Sequence, residues 1–339
     1  MKRTLSLLLS VAAIVAAGER KAVVPAGAAK PIGPYTPGLL TSKFLYVSGQ
    51  GMLDANSKAP ETWRRQVGQC LENVKAIVEG AGLSMSQVVA TQVYLTDLSK
   101  WPDAAKVYAE YFPSDPPAMT LLEVNKMPAG TLVEINAIAV RDGSSRKVIQ
   151  KGDGPYSNAV MAGGRLFVSA MGGADAKAAD AKLQSILRAA GMKRSDIVLA
   201  TRYAVGGAAE AGQVPVQALP NGAKAAVAAV AVKGGGKTKE DCVAADVALF
   251  CVAQVSSGDE IEGAVKASME RLKARLAAGG FGPENVVASN VYLNNLDHFK
   301  AMNGIYGSVF SADPPTRTTV QPLAPGSGPL FRLAVVAEK

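Results

Sequence analysis

Histidine occurs once in 339 residues and cysteine three times. That scarcity excludes a tetrahedral metal site, which needs four such ligands close together. Cys70, Cys242 and Cys251 are odd in number and irregular in spacing, so they form no disulfide framework. Cys70 falls on an apolar helix face and reads as core, and a Cys242–Cys251 pair in an oxidising compartment stays open. Aromatic residues are only 6% of the chain, so its cores must be packed from small and branched side chains. Charged residues are also sparse, 19% against 48% hydrophobic, which excludes intrinsic disorder. No run of five like charges occurs. The net charge of +8, from 36 basic and 28 acidic residues, is therefore scattered and makes no case for a nucleic-acid partner.

What is present begins at the N-terminus. Lys2-Arg3 precedes an apolar stretch from Leu5 to Ala17 and then Gly18-Glu19-Arg20. A basic start, an apolar core and a small-residue exit read as a secretory signal peptide over residues 1–18. The stretch is short for a membrane span, which needs about 20 apolar residues. The alternative is a buried N-terminal helix. On the signal-peptide reading the mature chain is periplasmic or secreted and free of the membrane.

Self-similarity organises the remainder. Residues 82–119 and 280–317 align without a gap at an offset of 198, matching Tyr94 to Tyr292, Tyr108 to Tyr306 and Phe112 to Phe310. A further copy lies between them. Gly33-Pro34-Tyr35 and Val47-Ser48 recur as Gly154-Pro155-Tyr156 and Val168-Ser169, and Tyr94 recurs as Tyr203. Three related units follow, 19–143, 146–236 and 238–339, each reading as an α+β unit of order β-β-α-β-α-β-β. In the first unit, apolar residues from Trp63 to Ala81 recur at helical spacing, and Glu260–Ala277 is their counterpart in the third. Lys43–Ser48, Val88–Leu95, Met119–Val124 and Thr131–Val140 read as strands, and Lys100–Phe112 as a second helix stopped by Pro113. The middle unit keeps too few residues between Val205 and Gln213 for that second helix. Helices cover one face of each sheet, and the sister sheets are the natural cover for the other.

Ile32-Gly33-Pro34-Tyr35, Leu45–Gln50, Val107–Phe112 and Val133–Ala139 resemble the RidA/YjgF family, also called the L-PSP endoribonuclease family. Family members are homotrimers of one such unit, with ligand clefts between subunits. The resemblance therefore implies three units packed as an intrachain pseudo-trimer around a central barrel-like core, and hence a monomer in solution. It implies hydrolysis of reactive enamines or imines to 2-oxo acids and ammonia. A guanidinium holds the substrate carboxylate, a backbone N–H fixes the other end, and a carboxylate positions the attacking water. No metal or organic cofactor is required.

Carried over residue by residue, the family's carboxylate-binding arginine is Arg317, in Pro315-Thr316-Arg317. The first unit has Met119 at that place and the second Ala211. The water-positioning glutamate is Glu134, replaced by Ala226 and Arg332 in the other units. The motif tyrosine is Tyr35 and Tyr156, and the serine is Ser48 and Ser169, with Val252 in the third unit. Gly49, which follows Ser48, is counted with the substrate-binding residues, and the family asparagine matches Asn303, where the first unit has Ala105. Each has a plainer reading: Arg317 as a solvated strand residue, Glu134 as an edge charge, Tyr35 and Tyr156 as packing residues at a unit boundary. Arginine and glutamate lie in different units: a cleft between two units unites them, whereas if the family site takes both from one subunit, this chain has no complete catalytic site.

Three functions follow from this. The first is an exported enamine or imine deaminase acting on a small carboxylate in one inter-unit cleft. The second is a non-catalytic carboxylate-binding or scaffold protein that keeps the trimer-like shell. An endoribonuclease has less support, because there is no histidine pair and no stripe of aromatic and basic residues. Gly234-Gly235-Gly236-Lys237-Thr238 resembles the end of a phosphate-binding loop, but Ala231 replaces its first glycine and the segment reads as a linker. His298 has no ligating neighbour, and Trp63 and Trp101 read as core.

Overall fold

A computed structural model describes residues 20–26, 28–206, 212–255, 260–325 and 330–339. The expected signal peptide and Ala211 lie outside the described residues, as does most of the short connection in the middle unit. The first segment runs β1 (Lys21–Val23), β2 (Gly38–Leu40), β3 (Phe44–Gly51), α1 (Trp63–Gly80), β4 (Val88–Leu95), α2 (Trp101–Tyr111), β5 (Ala118–Glu123) and β6 (Val133–Val140). The second runs β7 (Lys147–Lys151), β8 (Ser157–Ala162), β9 (Arg165–Gly173), α3 (Ala176–Ala189), β10 (Ile197–Val205), β11 (Gln213–Val216) and β12 (Ala225–Val232). The third runs β13 (Lys237–Lys239), β14 (Cys242–Ala245), β15 (Ala248–Val255), α4 (Ile261–Ala278), β16 (Val286–Leu293), α5 (Phe299–Val309), β17 (Thr316–Val320) and β18 (Phe331–Glu338).

Strand order repeats three times. It is β2-β3-β6-β4-β5 in the first segment, β8-β9-β12-β10-β11 in the second and β14-β15-β18-β16-β17 in the third. One pair in each is parallel, β4 with β5, β10 with β11 and β16 with β17. Parallel neighbours need a crossover, and α2 and α5 supply it in the outer segments. A single parallel bridge between Ala118 and Ser157 joins the first two sheets into one of twelve strands, and the third remains a separate sheet of six.

Each segment buries its long helix on its own sheet. Val67, Cys70, Leu71, Val74, Ile77 and Val78 of α1 are buried, the positions that the helical spacing puts on one face. Trp63 and Trp101 are only partly buried at the margin of that core. The opposite sheet faces meet one another. Tyr94, Tyr203 and Tyr292, one from each segment, share a buried cluster with Leu122, Val214 and Val320. At another contact Arg165, 1% exposed, donates through Nη1 to the Tyr46 hydroxyl at 2.8 Å and pairs with Glu338 at 2.7 Å. Tyr46 in turn donates to Glu338 at 2.6 Å. These three residues come from three different segments.

Two seams between segments share one design. At the first, the Met119 N–H donates to Ser169 Oγ at 2.7 Å, and Ser169 donates to the Ser157 carbonyl at 2.6 Å. At the second, the Arg317 N–H donates to Ser48 Oγ at 2.9 Å, and Ser48 donates to the Thr36 carbonyl at 2.6 Å. Each buried serine thus spends its hydroxyl holding the edge strand of a neighbouring segment. Cys242 and Cys251 stand directly opposite on β14 and β15 and are joined by a disulfide, closing the pairing that spacing left open.

Candidate active site

The seam between the first and third segments opens into a cavity of about 110 Å³ lined by Tyr35, Gly49, Glu134, Phe299, Arg317 and Thr319. Arg317 reaches it from β17, immediately after the pair Pro314-Pro315, which cannot continue the preceding helix. Ser48 holds the backbone there, and the side chain crosses the seam among three aromatic rings. Its guanidinium carbon lies 5.4 Å from the Tyr35 ring centre, 5.5 Å from Phe299 and 4.8 Å from Tyr306, all within cation–π range. Arg317 is 4% exposed, so it is not a solvated strand residue. Its Nη1 has no hydrogen-bond partner. Burial lowers its pKa while Tyr306, Tyr35 and Glu134 raise it. A guanidinium stays charged under any such shift, so this is a buried cation with a free donor.

Glu134 enters from β6 of the first segment. It stands opposite Tyr94 in the ladder, where Ala226 faces Tyr203 and Arg332 faces Tyr292 in the other segments. Its carboxylate lies over Gly49, where an added Cβ would stand 1.9 Å from Oε1. A side chain at position 49 would displace that carboxylate. Burial pushes the Glu134 carboxyl up to about 8, with the charge of Arg317 acting in the opposite direction. The two side chains share the cavity without a direct hydrogen bond, and a small anion fits the chemistry of the space between a charged donor and a protonatable acid.

Tyr35 lines the cavity itself, and burial raises the pKa of its phenol. Asn303 packs against Gly33 beside the Arg317 guanidinium: a Cβ on Gly33 would lie 2.5 Å from Arg317 Nη2 and 3.0 Å from Asn303 Nδ2. The buried Asn303 Oδ1 has no hydrogen-bond partner. Ser48 acts on the backbone of Arg317 rather than facing the cavity. Tyr156 and Ser169, also expected at a ligand site, are not brought here. They stand at the other seam, where Tyr156 donates to Asp153, packs against the first segment's core, and faces no arginine. In that seam Met119 occupies the arginine's ladder position, opposite Thr91 as Arg317 is opposite Ser289. In the third segment Arg332 is buried and donates to Gln254 at 2.8 Å and to the Gly212 carbonyl at 3.1 Å.

Sequence reasoning missed Phe299, Tyr306 and Thr319 as parts of this site. Tyr306 was visible only as a repeat residue, and its hydroxyl bonds Ser289 at 2.7 Å as Tyr108 bonds Thr91. Phe299 carries no motif signal. Thr319 had one available, its place two residues beyond Arg317 on the same face of a strand. Among the described residues no three of histidine, cysteine, aspartate and glutamate gather to hold a metal ion.

A family model described as Endoribonuclease L-PSP matches residues 26–141 and 251–336, more than half of the chain. The RutC family protein PH0854 of Pyrococcus horikoshii is 37% identical over 125 residues, 36% of this chain and 99% of that protein. The RutC family protein SSO3206 of Saccharolobus solfataricus is 40% identical over 114 residues, 33% of this chain and 90% of that protein. Among solved structures, the YjgF gene product of E. coli is 34% identical, covering 36% of this chain and 98% of that one, with a TM-score of 0.35. E. coli TdcF with bound serine is 32% identical and covers 36% and 99%, also with a TM-score of 0.35.

Proposed function

This chain belongs to the RidA/YjgF/L-PSP family, and on that premise we propose that its Arg317 cleft hydrolyses small imines or enamines of 2-oxo acids. The observation that carries the reading is the convergence of a buried, partly unpartnered guanidinium with a buried carboxyl, supplied by two segments of one chain. Arg317 receives the substrate carboxylate, with the Tyr35 ring against its guanidinium and the Asn303 amide beside it. Water adds to C2 of the imine as Glu134 takes one of its protons and passes it to nitrogen, giving a carbinolamine; Glu134 then carries the hydroxyl proton to nitrogen as the C–N bond breaks, leaving the C2 carbonyl and ammonia. The balance is one imino acid and one water giving one 2-oxo acid and one ammonia. A carboxyl poised near neutrality suits both transfers. The bound serine in the TdcF structure is a small carboxylate-bearing molecule, in keeping with such a ligand.

On the same reading the three segments form a pseudo-trimer around a barrel-like core, and the chain works as a monomer. The matched strand orders, the serine seams and the three shared tyrosines support this. Export is part of the proposal: the basic-then-apolar start and the Cys242–Cys251 disulfide fit an oxidising compartment.

Arg317→Met tests the reading. Truncating one partner of a buried, hydrogen-bonded charge pair costs about 2–5 kcal/mol, so calorimetric affinity for pyruvate should fall about 30-fold or more. Met119 shows that the fold accepts methionine at the matching ladder position. Unchanged binding by the folded variant would remove Arg317 from the function. Glu134→Gln should keep pyruvate binding and lose ammonia release from freshly generated 2-iminopropanoate. A wild-type chain that binds pyruvate without accelerating that release would leave a binding protein rather than an enzyme.

A further inference from the structure

We infer that the void where the three sheets face one another is a second ligand site. It takes a small uncharged carbonyl compound, an amide or ketone with a short apolar body, on the free edge of the Arg165 guanidinium. The void measures about 150 Å³ and is bordered by strands of all three segments. A void of that size takes a guest about as large as benzene. It lies on the other side of β17 from the Arg317 cleft, since Thr318 borders the void and Thr319 the cleft. Ala90, Ile138, Ala228, Val230, Ala288 and Val336 line it and are only half-buried, although they pack in clusters shared between segments.

Arg165 borders the same void from β9. Its Nη1 is engaged by Tyr46 and Glu338, and its guanidinium carbon lies 4.7 Å from the Phe44 ring centre and 5.3 Å from that of Phe250. Nε and Nη2 have no hydrogen-bond partner, although Arg165 is 1% exposed. These two nitrogens form one edge of the planar group, a fork whose N–H bonds point at lone pairs in its plane. Glu338 already balances the charge of Arg165. A further anion would leave excess negative charge buried between the sheets, so the acceptor that suits the fork is a neutral oxygen. Packing alone does not ask for this arginine. The ladder pair Arg165–Val232 corresponds to Phe44–Val140 in the first segment and to Ala248–Glu338 in the third. Phe44 and Val140 show that an apolar pair fills the same place, and a buried ion pair is often no more stable than such a replacement. Nor are unpaired polar groups general in this wall. The Asn136 amide, which also borders the void, donates to Gln92 Oε1 at 2.7 Å and Thr318 Oγ1 at 2.8 Å, and accepts from the Gln92 N–H at 3.1 Å.

Calorimetry with butanamide and butanoate, one uncharged and one anionic on the same carbon chain, tests the inference. Arg165→Lys keeps a cation for Glu338 and removes the fork. Butanamide affinity should then fall about tenfold or more, while any affinity for butanoate, an anion suited to the Arg317 cleft, stays unchanged. Ala288→Leu fills the void from the third segment with Arg165 left in place, and should weaken butanamide binding at least as much. It keeps the test decisive if Arg165→Lys does not fold. Butanamide binding that either variant leaves intact, with wild-type near-ultraviolet dichroism, would overturn the inference, as would losses of butanoate that match those of butanamide. A wild-type chain that does not bind butanamide would overturn it too, leaving the void to water.

Discussion

Raising the pH should loosen this protein through one residue, Glu134. Burial holds its carboxyl at about 8 in the folded chain against 4.5 for an ordinary glutamate. Between those values the folded state keeps a proton that the unfolded state has released. The unfolded chain therefore binds fewer protons, and stability falls as pH rises. The contribution is fully present below 4.5 and is lost as pH climbs through about 8. Each pH unit in that window costs about 1.4 kcal/mol, so the whole window amounts to the order of 4–5 kcal/mol at most. Arg317, in the same cavity, limits the loss without abolishing it. Glu134→Gln keeps the shape and removes the titration. Urea unfolding of both chains at pH 5, 7 and 9 should show the variant gaining on the wild type steadily with pH. Parallel stability curves would refute the reasoning, because they would mean that Glu134 ionises in the folded chain as it does in water. The same titration carries a binding signature: a ligand carboxylate beside Glu134 favours its protonated form, so pyruvate affinity should decline above about pH 8 in the wild type only.

Two further outcomes follow from the packing between segments. Arg165→Met leaves Glu338 buried without its cation, which costs about 3–5 kcal/mol, and adding Glu338→Gln should recover part of that loss; an unchanged urea midpoint for the single variant would show that the trio is not holding three segments together. The mass of the full chain in solution should be that of one copy, since each sheet's second face is covered by sister sheets, and a stable trimer of full-length chains would count against an intrachain assembly.

Much of the local structure was legible because it depends on period alone. Apolar residues from Trp63 to Ala81 at helical spacing place α1 at Trp63–Gly80, and the β-branched run at Val88–Leu95 has the same bounds as β4. The periodicity is a property of backbone geometry and needs no knowledge of what lies opposite. Tertiary packing decided the rest. Whether Arg317 met solvent or a cleft turned on which sheet edge β17 abuts, and Ser48, far away in the chain, answers that. Tyr35 and Tyr156 share one motif, yet only Tyr35 faces a guanidinium, because Met119 rather than arginine crosses the other seam.

The disulfide follows the same logic, since Cys242 and Cys251 become partners through the register of β14 and β15 rather than through their spacing. From sequence alone came three repeated α+β units, the family resemblance, and an arginine and a glutamate separated by more than half the chain. The meeting of those two residues in one cavity, and the burial that leaves the arginine's donor free and the glutamate's proton retained, belong to the fold. Charge and desolvation act through distance in space, and a repeat in sequence says nothing of distance between one copy and the next.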